Sequence, residues 1–207
     1  MKAMTDESSN TRLRLFVAIP LPEPVRDEMT RIQRELQSLA PPRAIGWTKP
    51  EQFHLTLRFL GGVPAARLED LKVAVSAVCA NVRTLQLSAE GVGFFPNARS
   101  PRVVWVGIQG EGQLLIDLQR RIEWAVQPFI AEQGAEHFSG HVTLARVRDL
   151  KQSDAGKLAA RAQTIVSRRF GGWMAREIEI VQSELSPYGA RHSLLAEFPL
   201  AGKIGPL

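Results

Sequence analysis

The sequence predicts a fold of mixed helices and strands in which two related halves form one domain. After a first strand, the order helix, strand, helix, two strands occurs twice, judged from apolar residues at alternating or at three- and four-residue spacing. In each repeat the strand between the helices carries a His-x-Thr-Leu tetrapeptide, beginning at His54 and at His141, 87 residues apart. Because no Gly- and Ser-rich linker separates the halves, we expect a single domain over residues 12–207.

The first half is predicted to contain seven elements after a polar leader, residues 1–11, that we expect to be disordered. Prolines end the first strand and the first helix, and Gly61-Gly62 ends the strand that carries His54. The elements are a buried strand over 13–19, a helix over 25–39, an extended segment over 44–47, a strand over 53–60, a helix over 68–78, and strands over 84–90 and 102–108, the last two joined by a loop over 91–101.

The second half repeats this pattern without the leading strand. Its predicted elements are a helix over 114–129, a strand over 141–147, a weaker helix over 150–162, one long strand over 173–185, and a strand over 193–200 that follows a turn at 186–190.

Composition favours a cytoplasmic protein with an anionic partner. Twenty-six Lys and Arg against 21 Asp and Glu give a net charge of +5, which suits nucleic acid. No apolar run reaches the roughly 18 residues that a membrane helix needs, and the first residues lack the apolar centre of a signal peptide. Cys79 is the only cysteine and is predicted to be buried, so an intrachain disulfide and a cysteine-rich zinc site are excluded. No membrane and no obligate protein partner are indicated.

The His-x-Thr-Leu frames carry the predicted chemistry. Side chains of a strand alternate between its faces, so His54 shares a face with Thr56, and His141 with Thr143. Phosphodiester hydrolysis needs a base, an acid and donors to the non-bridging oxygens, and histidine titrates near neutral pH. Two such strands across a cleft would supply all of these groups. The spacing offers no set of metal ligands, so no metal and no cofactor is expected.

Neighbouring side chains have two possible roles each. Arg58 falls on the predicted face of His54, so it contacts phosphate or forms a surface salt bridge. Arg146 is out of phase with His141 and reaches the site only through strand twist or an early strand end. Three aromatic rings stack on a base or pack in the core: Phe53, Phe94 and Phe95.

Beyond these frames, the sequence resembles the two-histidine (2H) phosphoesterases, and among them the RNA 2′,3′-cyclic phosphodiesterases, also called 2′-5′ RNA ligases. The resemblance runs from residue 12 to residue 200. It is carried by Leu15 to Pro20, by Trp47 to Gly61, by Phe95-Pro96 with Pro101-Arg102, by Trp105-Val106-Gly107 and by His141 to Arg146.

The resemblance implies an α+β, bilobal fold in which antiparallel sheets line a V-shaped cleft with one motif on each side. It implies that His54 is the proton donor to the leaving 3′ oxygen and that His141 is the proton acceptor that activates water. The substrate would be RNA with a 2′,3′-cyclic phosphate end, tRNA-like fragments included, and the product a 2′-phosphomonoester. The reverse reaction would join RNA through a 2′-5′ bond.

One position departs from the family pattern. Relatives often place an aromatic residue after the arginine that follows Gly-Ala, whereas here Gly189-Ala190-Arg191 is followed by His192. A base contact made by such an aromatic would fall to Tyr188, which joins Phe53 and Phe95 as a base-stacking candidate.

Two other functions remain open from the sequence. The same chemistry would also serve small cyclic nucleotides or ADP-ribose cyclic phosphate. A non-catalytic RNA-binding module would bind RNA in a salt-dependent manner without a bell-shaped pH profile, although binding alone does not need two matched histidines.

Overall fold

Two antiparallel sheets form the framework of the molecule, which the computed structural model describes over residues 11–111, 113–130, 137–186 and 189–202. The strands are β1 (Arg12–Pro20), β2 (Ile45–Trp47), β3 (His54–Pro64), β4 (Leu85–Phe95), β5 (Val103–Gly110), β6 (His141–Val147), β7 (Arg169–Ala175), β8 (Glu177–Ser186) and β9 (Gly189–Pro199). The helices are α1 (Glu23–Gln37), α2 (Leu68–Cys79), α3 (Leu114–Val126) and α4 (Gln152–Gln163). The predicted class of mixed helices and antiparallel sheets is confirmed.

Each sheet takes strands from both halves of the chain. One sheet has the order β3-β1-β8-β9 and the other β2-β6-β5-β4-β7. The two orders match when β3 is placed on β6 and β1 on β5, with β2 as an additional edge strand. The predicted repeat is therefore visible in the sheets, but neither half of the sequence forms a sheet by itself.

The helices α1 and α3 cross from one sheet to the other, whereas α2 and α4 pack on the sheet that they follow. The first helix follows β1 of the four-stranded sheet but contacts β7 of the five-stranded sheet, and α3 follows β5 but contacts β3. The helix α2 contacts β8 and β9, while α4 contacts β4. Buried apolar residues from both sheets and all four helices belong to one continuous cluster, which supports a single domain. No helix among the described residues is long and apolar enough to cross a membrane.

Gln33 is a buried polar residue that ties α1 to the five-stranded sheet. Its side chain is 3% exposed, and Nε2 donates to the carbonyl of Thr48 at 2.7 Å and to that of Leu144 at 3.0 Å. The backbone N–H of Thr48 donates to the same Leu144 carbonyl at 2.9 Å. The helix is thereby fixed next to β6, the strand that carries His141.

Several predicted strand boundaries were wrong, because pairing with a neighbouring strand determines where each strand ends. The strand β3 continues past Gly61. This glycine has a φ of 66° and still pairs with Leu15 of β1. The strand β4 includes the first part of the predicted loop, with a bulge at Gly91 (φ 65°). The predicted long strand over 173–185 is two strands, β7 and β8, which lie in different sheets.

Most of the predicted disordered leader, residues 1–10, lies outside the described residues. Residue 11 is ordered instead, because the carbonyl of Thr11 accepts a hydrogen bond from the backbone N–H of Ala65 at 2.9 Å.

Candidate active site

A cleft of about 1110 Å³ brings the two His-x-Thr frames together. His54 and Thr56 line it from β3, and His141 and Thr143 line it from β6. The leucine and valine between them face the core, with Leu55 and Val142 fully buried. The alternation expected for a strand therefore places both imidazoles and both hydroxyls on one ligand-accessible surface.

The two imidazoles are held in the same way. The Nδ1 atom of His54 lies 2.7 Å from the carbonyl oxygen of Gln52, and Nδ1 of His141 lies 2.7 Å from that of Ser139. A carbonyl only accepts, so each Nδ1 carries the proton and each neutral ring leaves Nε2 as a free acceptor. Both histidines use the carbonyl two residues earlier, which makes the two halves of the site equivalent in geometry.

The threonine hydroxyls are available to a ligand. Within the described residues, no hydrogen bond holds the side chain of Thr56 or Thr143. A hydroxyl can rotate to donate toward an oxygen placed between the strands. The site thus offers a hydroxyl next to each imidazole.

Each histidine also rests against aromatic rings. His54 stacks on Phe16, with ring centroids 4.5 Å apart and an interplanar angle of 22°. His141 meets the ring of Phe95 edge to face at 5.0 Å, and Trp105 lies 6.3 Å away. These rings restrict the orientation of the imidazoles and reduce their contact with water.

Burial and like charge make both histidines weak bases. Burial lowers the pKa of His54 to about 4; the Gln52 carbonyl opposes this, while the positive charges of His192 and His141 add to it. Burial also lowers the pKa of His141, opposed by the Ser139 carbonyl and assisted by the charge of Arg146. At neutral pH both rings of the free protein are therefore mainly neutral.

A β-bulge follows the threonine of both frames. In the β1–β3 pair Ala18 is opposite Thr56 and Val17 opposite Arg58, so Leu57 is the additional residue. In the β5–β6 pair Trp105 is opposite Thr143 and Val104 opposite Ala145, so Leu144 is the additional residue. A bulge shifts the alternation of side chains by one position. The last leucine of each frame is thus the residue at which the strand changes phase.

The change of phase decides the roles of the two arginine candidates. Arg146 now lies on the same side as His141 and lines the cleft, so the bulge, and not strand twist or an early end, brings it there. Arg58 is paired opposite the core residue Val17, and its Nε lies 2.9 Å from Oε2 of Glu123 on α3. Although Arg58 contributes to the lining, its guanidinium forms a half-buried salt bridge. The salt bridge is thus present, and the assignment of Arg58 to phosphate binding stays a prediction.

The residues predicted to stack on a base differ in burial and in their position relative to the cleft. The side chain of Phe53 is 3% exposed and belongs to the hydrophobic core, so its assignment to base stacking is wrong. Phe95 packs against Trp105 and His141 and is absent from the surface of the cleft among the described residues. Tyr188 lies outside the described residues. None of the three provides an observed platform for a base.

Phe59 is an aromatic residue of the cleft that the sequence reasoning missed. It is 54% exposed, lines the cleft, and its ring lies 5.8 Å from that of Phe16. Strict alternation from His54 would direct Phe59 to the core, and the bulge at Leu57 reverses this. Phe59 and Arg146 stand at the same position of the two frames, two residues after the bulged leucine.

Positive charge dominates the cleft. Among the described residues that line it there is no Asp or Glu. The cations that line it, apart from the salt-bridged Arg58, are Arg12, Arg14, Lys49, Arg146 and Arg148. A surface of this kind attracts anions and lacks the carboxylates that a metal site would draw on.

One group of carboxylates does come together elsewhere. Ligand atoms of Glu177, Glu179 and Glu197 lie within 4.8 Å of one another. Burial raises the pKa of Glu179, and the neighbouring Glu177 and Glu197 raise it further. These residues do not line the cleft and face none of its imidazoles.

Comparison with known sequences gives the family. The LigT-like phosphoesterase family matches residues 19–105. An Archaeoglobus fulgidus protein named RNA 2′,3′-cyclic phosphodiesterase is 32% identical over 189 residues, which cover 90% of this chain and 99% of the relative. The chain belongs to the LigT-like phosphoesterase family. A Methanothermobacter thermautotrophicus relative of the same name is 30% identical, covering 91% of this chain and all of the relative.

Solved structures agree with this membership. A Thermus thermophilus protein superposes with a TM-score of 0.76 at 28% identity, covering 93% of this chain and 100% of the other. The E. coli LigT structure described as a complex with 3′-AMP gives a TM-score of 0.70 at 23% identity, covering 91% and 98%, and shows the shared fold. The two-histidine phosphoesterase fold expected from the sequence is confirmed.

Proposed function

We propose that this LigT-like phosphoesterase hydrolyses 2′,3′-cyclic phosphate ends of RNA to 2′-phosphate ends, with His54 and His141 as its acid–base pair. The observation that carries the proposal is the matched pair of imidazoles. Each has Nδ1 fixed by a backbone carbonyl and stands beside a threonine whose hydroxyl no described residue holds. The names of the A. fulgidus and M. thermautotrophicus relatives support RNA as the substrate.

The two imidazoles and the two hydroxyls account for each proton transfer and bond change of the proposed reaction. His141 Nε2 accepts a proton from water, and the water oxygen forms a bond to phosphorus. The bond from phosphorus to the 3′ oxygen breaks, and His54 donates a proton from Nε2 to that oxygen. Thr56 and Thr143 donate hydrogen bonds to the non-bridging oxygens, on which negative charge increases in the transition state. The products are a 3′-hydroxyl and a 2′-phosphomonoester.

The low pKa of His54 requires that the substrate itself promotes protonation. With a pKa of about 4, roughly one molecule in a thousand carries the proton on His54 at pH 7. An anionic phosphodiester between the two rings favours imidazolium, because opposite charges attract strongly where water is excluded. Substrate binding is then coupled to uptake of a proton, and the imidazolium formed carries the proton that the leaving oxygen receives. The affinity for the cyclic phosphate should therefore decrease as the pH rises.

The remaining lining supports a nucleic-acid substrate. The five lining cations other than Arg58 would contact phosphates of the chain, with Arg146 next to the scissile phosphate. The exposed ring of Phe59 would stack on a base. The same residues serve the reverse reaction, in which a 5′-hydroxyl attacks and a 2′-5′ bond forms, since acid and base exchange roles.

The first experiment treats the purified protein, in EDTA, with an RNA oligomer that ends in a 2′,3′-cyclic phosphate. We expect a 2′-phosphate product, identified by phosphatase sensitivity and chromatography. His54→Ala and His141→Ala should each lower the rate by about 10² to 10⁴. The matched control is His137→Ala, because His137 is exposed and does not line the cleft. Unchanged turnover in His141→Ala would refute the proposal.

Cyclic mononucleotides and ADP-ribose cyclic phosphate form a second arm of the same experiment. Faster turnover of these small substrates than of the oligomer would move the proposal to a small-nucleotide phosphodiesterase. RNA binding without any product would indicate a non-catalytic RNA-binding module.

A further experiment assigns the acid and the base. A cyclic substrate whose 3′ bridging oxygen is replaced by sulfur has a leaving group that needs no proton donor. If His54 is the acid, His54→Ala should regain most of its lost rate with this substrate, whereas His141→Ala should not. The opposite pattern would exchange the two roles.

A further inference from the structure

His192 places a third imidazole in the cleft. It lies on β9, opposite Ser183 of β8, and both residues line the cleft beside His54. Its ring centroid is 5.4 Å from that of His54 and 5.1 Å from that of Phe16, with an interplanar angle of 67° to each. The His54 ring is therefore covered by Phe16 on one face and met by His192 at a second side.

A side chain links the segment before His54 to the strand that carries His192. Nε2 of Gln52 donates to the carbonyl of Ala190 at 2.5 Å, while the Gln52 carbonyl accepts from Nδ1 of His54. One residue thus fixes the tautomer of His54 and also holds β9 two positions from His192. The distance between the two imidazoles is set by this connection.

His192 differs from the other two imidazoles in its bonding. No hydrogen bond within the described residues holds either of its ring nitrogens, whereas His54 and His141 each have Nδ1 on a carbonyl. Protonated His192 is among the causes that lower the pKa of His54, but burial is the only cause that lowers the pKa of His192. The two rings therefore oppose each other's protonation, because like charges this close repel.

The other groups that face this pair are cationic or neutral. They are Arg12 and Arg14 from β1, the salt-bridged Arg58 from β3, Lys49 from the segment before β3, and His141, Arg146 and Arg148 across the cleft. The lining residues of β8 and β9 other than His192 carry no charge. Nothing among the described lining residues neutralises an imidazolium at position 192, so its charge acts on His54 undiminished by a nearby anion.

We propose that His192 is a positioning residue for His54, acting through ring contact at all pH values and through like charge when it is protonated. The catalytic consequence rests on the proposed function, whereas the coupling between the two titrations does not. Two unit charges 5.4 Å apart at the edge of a solvated cleft correspond to a pKa change of about half a unit to one unit. His192 would therefore set the lowest pH at which His54 remains neutral in the free protein.

The test is a histidine NMR titration of the full chain, in which only four imidazoles give signals. His192→Phe keeps an aromatic ring beside Phe16 and His54 but removes the charge, and His192→Ala removes both. We expect the pKa of His54 to rise by about half a unit to one unit in both variants. His137→Phe, outside the cleft, is the matched control. An unchanged pKa of His54 in His192→Phe would overturn the charge coupling, even if the enzyme proved inactive on every substrate.

Activity measurements separate ring contact from charge. With the cyclic-phosphate oligomer, the limb of the pH–rate profile that reports His54 should move to higher pH in both variants. The value of kcat at its optimum should fall in His192→Ala and be restored in His192→Phe, because the phenyl ring still supports His54. Equal kcat in the two variants would overturn the ring contact, and absence of activity in the unmodified protein would count against the proposed function alone.

Discussion

Acidification should destabilise this protein in part through His54, the histidine with the most strongly lowered pKa. The imidazole is neutral and partly buried in the folded protein, with a pKa of about 4, against an ordinary value of 6.5 in the unfolded chain. Above pH 6.5 neither state binds the proton, so His54 adds no pH dependence. As the pH falls below 6.5 the unfolded chain binds a proton that the folded protein does not, and the free energy of unfolding decreases until about pH 4.

The size of the effect follows from the two pKa values. At about pH 5 the unfolded imidazole lies 1.5 units below its pKa, while the folded one is still almost entirely neutral. Each unit is worth about 1.4 kcal/mol, so His54 should cost about 2 kcal/mol of stability at pH 5 relative to pH 7.5. For a domain of this size that is a substantial part of the total.

The assay compares urea unfolding of the unmodified protein and of His54→Gln at about pH 7.5 and about pH 5, followed by the fluorescence of the four tryptophans. Titrating groups that do not interact with His54 contribute equally to both proteins and cancel in the difference. We expect the stability of His54→Gln relative to the unmodified protein to improve by about 2 kcal/mol between the two pH values. His137→Gln, which removes an exposed imidazole, controls for the loss of one histidine.

A stability difference between the unmodified protein and His54→Gln that stays the same at both pH values would refute the reasoning. It would mean that His54 is protonated in the folded protein near pH 5, and that burial does not depress its pKa. The proposed proton uptake on substrate binding would then lose its basis as well.

Three further predictions concern the residues that support the site. Replacing Gln33 by Leu should lower the free energy of unfolding by about 2–3 kcal/mol, since the carbonyls of Thr48 and Leu144 each lose the hydrogen bond from its Nε2. Gln37→Leu on the exposed side of α1 should change it by less than about 0.5 kcal/mol, and equal losses in urea unfolding would contradict this. Gly93→Ala should displace the ring of Trp105, because an added Cβ would lie 2.2 Å from it, with a cost of about 1–3 kcal/mol and an altered near-UV circular dichroism spectrum. Gly156→Ala in α4 meets no atom within 4 Å and should raise stability by about 0.5–1 kcal/mol, which thermal unfolding would reveal.

Much of the site could be predicted from the sequence because its main signal is local. Within a strand, His54 and Thr56 are two residues apart, and alternation alone places them on one face. The same holds for His141 and Thr143. Which residues continue that face beyond the motif could not be predicted, since the bulges at Leu57 and Leu144 depend on how many residues the partner strand supplies.

The consequences of those bulges explain the individual errors. Strict alternation from His54 places Arg58 on the ligand side and leaves Phe59 out of the site; the bulge at Leu57 pairs Arg58 opposite the core residue Val17 and brings Phe59 to the cleft. Both frames have a leucine at the same position, which the sequence does show. Without the strand register, however, this leucine indicates only a residue packed in the core and not a bulge. The division of 173–185 into β7 and β8 was also hidden, because a strand that leaves one sheet and enters another keeps its apolar alternation on both sides of Arg176.

The order of strands in the smaller sheet has a consequence for how the chain is made. The strand β1 lies inside that sheet, where Phe16 is paired with Val181, so an interior position near the start of the chain is filled by a partner 165 residues later. During synthesis, the ribosome releases β1 and β3 long before β8 and β9 exist, and the edge of β1 meanwhile has no partner to cover it. Contacts this distant in sequence favour slow folding. His54 and the strand of His192 therefore meet only after almost all of the described chain has left the ribosome. A product truncated before β8 would contain the His54 motif without the strand of His192 that packs beside it.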